Sequence, residues 1–69
     1  NNIVSPMPGK ILQIKVSEGD KVTKDQTLII MEAMKMELTL KANSEGNVEK
    51  VSVKENDIVS AGTVLIELV

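Results

Sequence analysis

The sequence predicts an all-β fold, a flattened β-barrel or sandwich of two four-stranded antiparallel sheets with an internal pseudo-two-fold repeat. Three observations support this prediction. Two stretches match at a constant spacing, beginning at Gly9 and at Gly46. Apolar and polar residues alternate within each stretch, as in half-buried strands. No useful length of the chain has the 3.6-residue apolar period of a helix, so we expect one all-β domain over residues 1–69.

The internal repeat relates GKILQIKVSEGDKVTKDQTLII to GNVEKVSVKENDIVSAGTVLIE. A shift of 37 residues aligns the two stretches without an insertion. In this alignment Gly19 falls on Asn56, and glycine and asparagine are the residues that adopt positive φ most readily. Each four-strand unit is too small to bury an apolar face by itself, so we expect the two units to pack together. The predicted superposable halves are residues 9–32 and 46–69.

Proline and turn residues mark the connections between strands. Pro6 and Pro8 confine SPMPG to an extended edge or a loop, because proline lacks the backbone donor that a central strand needs. The tripeptides EGD and END, and further along each half KDQ and SAG, are typical of tight turns.

The strand segments show the alternation most clearly in QIKV and KVSV, which place four residues on a common face: Ile14, Val16, Val51 and Val53. Ile11 and Val48 fall out of phase with this set. A β-bulge near Leu12 in the first half, and one near Glu49 in the second, would restore the phase.

The segments TLIIMEA and MELTLK are predicted to form consecutive strands of a hairpin. The repeat directs Ile29 and Met31 towards the core and leaves Ile30 partly covered. Met34 and Lys35 then remain as a two-residue loop. Such loops favour Asn-Gly or Asp-Gly, because their residues adopt positive φ. Met-Lys departs from that preference, and a local rule broken at an exposed position indicates a functional cause.

The composition excludes several classes of function. The chain has no cysteine, histidine or aromatic residue, which removes disulfides, thiolate metal sites, the commonest general base and rings for base stacking. A net charge of −2 with scattered lysines gives no electrostatic footprint for nucleic acid. No apolar run reaches the roughly 20 residues that cross a bilayer. We therefore expect a soluble domain with no catalytic residue, no metal site and no insertion into a membrane.

Lys35 is the candidate functional residue. It lies between two methionines at the centre of the repeat, on the predicted turn. An ordinary solvated turn lysine between core methionines is the alternative. The position and the unfavourable turn sequence favour an amine that an enzyme must find and modify.

The motif EAMKM, residues 32–36, resembles the biotin attachment motif of biotin carboxyl carrier domains. The resemblance extends to PMPG, VSEGDKV and VKENDIVSAGTVLIEL, and so covers essentially the whole chain. It implies covalent biotin in amide linkage to Lys35, on a domain that is not an enzyme by itself. Related lipoyl domains usually have Asp-Lys-Ala at the tip, so Met-Lys-Met favours biotin. The ungapped repeat leaves no room for an additional loop, which resembles the thumbless type of several multi-subunit carboxylases and decarboxylases.

The resemblance also implies roles for the residues beside the lysine. Met34 and Met36 help the ligase and the carboxylase to accept Lys35, and Glu32 and Ala33 complete the recognition motif. Two alternatives stay open, since Met36 is in phase with the leucines that follow it and Glu32 is also explained as a solvated strand residue.

The implied function is a swinging arm that accepts a carboxyl group at one active site and delivers it at another. Its implied partners are biotin protein ligase, biotin carboxylase, and a carboxyltransferase or decarboxylase, in the cytoplasm. A lipoyl-type acyl carrier and an unmodified β-module that mediates protein contacts are the alternative functions. The acceptor of the carboxyl group, and the choice between a multidomain parent and a small subunit, stay open.

Overall fold

The computed structural model describes residues 2–69, which form eight β-strands. In chain order these are β1 Asn2–Val4, β2 Gly9–Ile14, β3 Lys21–Val22, β4 Thr27–Ala33, β5 Met36–Lys41, β6 Gly46–Val51, β7 Ile58–Val59 and β8 Val64–Leu68. The described part of the chain contains no helix long and apolar enough to span a membrane.

The strands form two four-stranded sheets, with the orders β1-β8-β6-β3 and β5-β4-β2-β7. Every pair of neighbouring strands is antiparallel. This arrangement confirms the predicted all-β fold of two four-stranded antiparallel sheets. The segment SPMPG leaves β1 and reaches β2 as a loop without strand structure at Pro6, as its prolines predicted.

The internal symmetry relates one sheet to the other. When each strand is replaced by its counterpart in the other half, with β1 to β4 corresponding in order to β5 to β8, the strand order of the first sheet becomes that of the second. Each sheet takes two strands from each half of the chain. The halves are therefore interleaved, which differs from the simpler packing of one four-strand unit on another. Corresponding strands must share their pattern of apolar residues, but that pattern does not decide which strands pair.

The symmetry reaches further towards the N-terminus than the aligned sequences indicate. The Ser5 nitrogen donates to the Thr63 carbonyl at 2.9 Å, and the Ala42 nitrogen donates to the Gln26 carbonyl at 2.9 Å. These two bonds correspond under the shift of 37 residues. The equivalent halves are thus about 2–32 and 39–69, and β5 is the counterpart of β1.

Two carboxylates join the halves in a reciprocal way. The Ile14 nitrogen donates to Glu55 Oε2 at 3.3 Å, and the Val51 nitrogen donates to Glu18 Oε2 at 3.4 Å. Each carboxylate belongs to a turn of one half and accepts from the end of a strand in the other half. The identical glutamates of EGD and END therefore have a structural role, because they bind backbone donors at the ends of β2 and β6.

The β-bulges allow adjacent apolar residues to enter the core together. The predicted bulges are confirmed, with register shifts between Ile11 and Gln13 and between Val48 and Lys50. Two further register shifts leave Leu28 and Leu65 opposite no partner residue on the edge strands. Both leucines are fully buried, as are the residues that follow them. The fully buried large side chains are Ile11, Leu28, Ile29, Met31, Leu65, Ile66 and Val22.

The ends of β2 and β6 differ from the predicted strands in QIKV and KVSV. β2 ends at Ile14 and β6 ends at Val51, which are the first apolar residues of QIKV and KVSV. Val16 and Val53 therefore lie in the loops that follow the strands. These two valines are nevertheless buried, at 7% and 9% exposure. The Lys15 nitrogen donates to the Leu28 carbonyl at 2.8 Å, so hydrogen bonding continues after regular pairing has ended.

Candidate functional site

The lysine hairpin joins β4 to β5 in one sheet. Its strands are in continuous register near the tip, where Met31 faces Leu38, Glu32 faces Glu37 and Ala33 faces Met36. This register leaves Met34 and Lys35 as the turn. The predicted two-residue loop is confirmed.

The turn has the backbone conformation that its sequence disfavours. The φ angles of Met34 and Lys35 are 53° and 65°. Two consecutive positive φ values are typical of the type I′ hairpin turn, whose twist matches that of the strands. A residue with a β-carbon in the left-handed region costs about 1–3 kcal/mol. The fold therefore supports a strained turn at the lysine, with paired strands on both sides that hold it in place.

The side chains at the tip are strongly exposed. Lys35 is exposed, Met34 is 82% exposed and Met36 is 64% exposed. The inward phase of Met36 predicted from the alternation is thus not accompanied by burial, which excludes the core alternative for this residue. Burial increases along β5, because Leu38 and Leu40 are partly buried against the core. Met36 is the first residue of β5, beside the turn and beyond the partly buried leucines of that strand.

The base of the hairpin is closely packed. Ala33 is 3% exposed and Met31 is fully buried. A β-carbon on Gly9 would meet the Glu32 carbonyl oxygen and would lie 2.8 Å from Met31 Cε. Gly9 is therefore required by the close approach of β2 to β4 at this point.

Ser5 also supports the base of the hairpin. Its side chain is 2% exposed, and its hydroxyl donates to the Met7 carbonyl at 2.5 Å and lies 3.9 Å from Met31 Sδ. Reasoning from the sequence did not assign a role to Ser5 or a contact to Gly9. The signal available was SPMPG itself, a serine and a glycine that bracket two prolines close to the start of a strand.

Charged residues form a row across the sheet just below the turn. Glu32 faces Glu37 on β5 and Lys10 on β2, so the order across the sheet is Lys10, Glu32, Glu37. Both glutamates are exposed. Two like charges directly opposite each other destabilise a strand pair, by up to about 1 kcal/mol. The pair thus adds a second locally unfavourable feature beside Lys35.

The sequence-predicted residues therefore meet at one end of the sheet, in two environments. Glu32, Met34, Lys35 and Met36 are exposed, whereas the methyl group of Ala33 is packed beneath the turn. No group of three or more metal-ligating side chains occurs within residues 2–69. The chemistry that the tip offers is that of an accessible primary amine with two exposed thioethers beside it. An exposed amine of this kind can be acylated by an activated carboxylic acid.

Comparison with known sequences identifies the family. Residues 1–68 match the profile of the biotin/lipoyl family, described as "Biotin-requiring enzyme". Pyruvate carboxylase 1 of Caenorhabditis elegans is 40% identical over 67 residues, which cover 97% of this chain and 6% of that protein. The biotin carboxyl carrier protein of Streptococcus mutans is 43% identical over 68 residues, covering 99% of this chain and 52% of that protein. The chain thus spans at most about half the length of these relatives.

Solved structures show the same architecture. The Kluyveromyces lactis urea carboxylase superposes with a TM-score of 0.91 and 32% identity, over 100% of this chain and 6% of that one. The lipoyl domain of the Azotobacter vinelandii 2-oxoglutarate dehydrogenase complex superposes with a TM-score of 0.80, over 90% of this chain and 78% of that one. At 22% identity, the second likeness concerns the fold alone. With its hairpin lysine and its match over residues 1–68, the chain belongs to the biotin/lipoyl family.

Proposed function

We propose that this chain carries biotin in amide linkage to Lys35 and presents it to two active sites in turn, as part of a biotin-dependent carboxylase or decarboxylase. The observation that carries the proposal is an exposed lysine on a strained two-residue turn, flanked by the exposed side chains of Met34 and Met36. The family match and the names of the relatives, a pyruvate carboxylase and a biotin carboxyl carrier protein among them, support it.

The residues of the chain attach, orient and extend the arm. Lys35 Nζ, as the neutral amine, attacks the carboxyl carbon of biotin after the ligase has activated it; the activating group leaves, and the amide that results carries no charge. The four-carbon stem then lengthens the reach of the attached group. When attached, biotin supplies a ureido nitrogen that takes up a carboxyl group and releases it. The paired strands β4 and β5 keep the base of the arm fixed, so that motion is confined to the lysine side chain and the biotin attached to it.

The flanking residues supply the surface by which enzymes recognise the lysine. Met34 and Met36 offer apolar, adaptable side chains on either side of Lys35, and Met is typical of surfaces that accept more than one partner. Glu32 offers an exposed carboxylate on β4, separated from the turn by Ala33. Ala33 contributes by shape, because its small side chain is buried beneath the turn.

The proposed partners are a biotin protein ligase, a biotin carboxylase, and a carboxyltransferase or decarboxylase, with the cytoplasm as the expected location. The chain spans 6% of the pyruvate carboxylase relative, so the partner active sites belong to other domains or subunits. A tethered carrier reaches both sites at high effective concentration. Tight binding to either one is therefore unnecessary, which agrees with the small size of the exposed tip.

Intact mass spectrometry tests the attachment site. The chain is co-expressed with an active biotin protein ligase and excess biotin, beside two single variants, Lys35→Arg and Lys41→Arg. Lys41 is an exposed lysine of β5 and serves as the matched control. We expect the parent and Lys41→Arg to gain one biotinyl group and Lys35→Arg to gain none, because guanidinium is a poor nucleophile at neutral pH. Biotin on the Lys35→Arg protein would contradict the assignment.

A lipoyl-type acyl carrier is the second candidate, and the superposition on a lipoyl domain favours it only at the level of the fold. Co-expression with a lipoyl ligase in place of the biotin ligase separates the two. A lipoyl group on Lys35, with no biotin under the first conditions, would support the second candidate. A chain left unmodified by both ligases would support a β-module that only mediates contacts.

A further inference from the structure

Oxidisable side chains have an unusual distribution in this chain. The sequence contains four methionines and no cysteine, tryptophan, tyrosine or histidine, so methionine sulfur is the principal target for an oxidant. Met34 is 82% exposed and Met36 is 64% exposed. Met31 is fully buried, and Met7 is partly buried. The two most exposed methionines therefore lie on either side of Lys35.

We propose that Met34 and Met36 form a modification site at which peroxide produces methionine sulfoxide, and that this modification lowers the acceptance of Lys35 by its partner enzymes. The second part of the proposal depends on the carrier function proposed above. The first part depends only on the position and exposure of the four sulfur atoms.

The chemistry of the modification is a two-electron oxygen transfer. Hydrogen peroxide donates one oxygen atom to the thioether sulfur, which is oxidised to the sulfoxide, and the peroxide is reduced to water. No bond of the chain is broken and no charge is created. Methionine sulfoxide reductases reverse the step, since a dithiol removes the oxygen as water and is oxidised to a disulfide.

The modification changes the surface beside the lysine and leaves the fold intact. A thioether is an apolar, flexible group, whereas a sulfoxide is a strong hydrogen-bond acceptor. A partner surface that receives two apolar side chains would have to bury these acceptors without donors, which is unfavourable. We expect a fall of about tenfold in the rate of a recognition step, equivalent to about 1.4 kcal/mol in its barrier. The core is unaffected, because neither side chain packs in it.

Peptide mapping tests the site itself. The folded chain is treated with hydrogen peroxide, and the oxygen added at each methionine is followed by mass spectrometry. We expect Met34 and Met36 to react first, Met7 more slowly, and Met31 only after unfolding in guanidinium chloride, because susceptibility follows exposure. Reaction of Met31 in the folded chain at the rate of Met34 would overturn the proposal.

Two rates test the consequence for Lys35: loading of biotin by a biotin protein ligase, and carboxylation of the loaded chain by a biotin carboxylase. Each is measured before and after peroxide, and again after treatment with methionine sulfoxide reductases A and B. We expect at least one rate to fall and to recover on reduction. The double variant Met34→Leu/Met36→Leu should show no change when compared with its own untreated sample, because its tip has no sulfur.

Three results would overturn the proposal that oxidation of Met34 and Met36 lowers the acceptance of Lys35. The first is that both rates are unchanged in the oxidised parent. The second is that the rates of the double variant fall after peroxide as those of the parent do. The third is that the reductases restore neither rate. An untreated chain that accepts no biotin would refute the carrier function and the control together, whereas the order of oxidation would still establish or refute the modification site.

Discussion

Gly9 and Ala33 lie so close together at the base of the lysine hairpin that a β-carbon on Gly9 would be 3.1 Å from the Ala33 Cβ. The same added atom would also meet the backbone oxygen of Glu32, which has little freedom to move because β4 is paired on both sides. The space beneath the turn is thus set by two small residues, one from each of two neighbouring strands.

Gly9→Ala is therefore expected to destabilise the domain. Overpacking of this kind costs about 1–3 kcal/mol, and in a domain of this size each kcal/mol lowers the melting temperature by roughly 4–8 °C. Thermal melting measures the loss of stability. Hydrogen exchange is expected to show a loss of protection at the amides near the turn.

The matched control is Gly46→Ala in the other half, where a β-carbon would lie 2.6 Å from the Val69 carbonyl oxygen. It should also lower the melting temperature, yet leave exchange at residues 33–36 as in the parent. Equal loss of protection at the turn in both variants would show that Gly9 has no special relation to the hairpin.

Met36→Ala should melt within a few degrees of the parent, because this side chain is 64% exposed. Met31→Ala, the buried control, should lose about 2–5 kcal/mol. If Met36 is a recognition residue, its variant should nevertheless load biotin or transfer carboxyl more slowly. Equal losses of stability in the two variants, with unchanged loading of Met36→Ala, would refute the role proposed for Met36.

Met34→Asn should stabilise the fold while it weakens recognition. Asparagine tolerates the left-handed region better than methionine, and relief of part of the strain is expected to add about 1 kcal/mol. The melting temperature should rise, and biotin loading or carboxyl transfer should fall. The control has the opposite sign: Asn56→Ala, at a turn position with a φ of 76°, should melt lower. No rise for Met34→Asn would show that the turn carries little strain.

Glu18→Ala and Glu55→Ala should lower stability by similar amounts, because the two carboxylates make equivalent hydrogen bonds across the halves. Each bond is exposed, so we expect losses of about 0.5 kcal/mol, near the lower end for a hydrogen bond. Urea denaturation measures both variants, beside Glu45→Ala as an exposed glutamate in a connecting loop. A loss in only one of the two variants would contradict the symmetry of these contacts.

Much of the fold was predictable because the residues that match between the two halves of the sequence occupy equivalent positions in the structure. The bulges at Leu12 and Glu49, the buried Ile29 and Met31, and the turn at Lys35 were all predicted from the repeat and its alternation. The bulge at Leu28 was not predicted, because two adjacent apolar residues give no alternation. The counterpart relation of β1 and β5 was also missed, since NIV and TLK share no residue.

The candidate site was predictable in its tip and not in its base. Met34 and Lys35 stand out because they depart from the residue preference of a two-residue turn, and both are exposed, as is Met36 beside them. Ser5 and Gly9 support the tip from a distant part of the chain, and no local pattern links them to it. The exposure of Met36 was also beyond the sequence, because the alternation predicts the direction of a side chain and not what covers it.

The interleaving of the halves governs how this chain must fold. Asn2 pairs with Glu67, so the first and last strands are neighbours in one sheet. Contacts between residues so far apart in sequence must close nearly the whole chain into a loop before they contribute, which slows folding. During synthesis, β1 has no partner until β8 has left the ribosome. A truncation that removes β8 would therefore leave β1 and β6 without their shared neighbour, and no half of this domain is expected to fold as an independent unit.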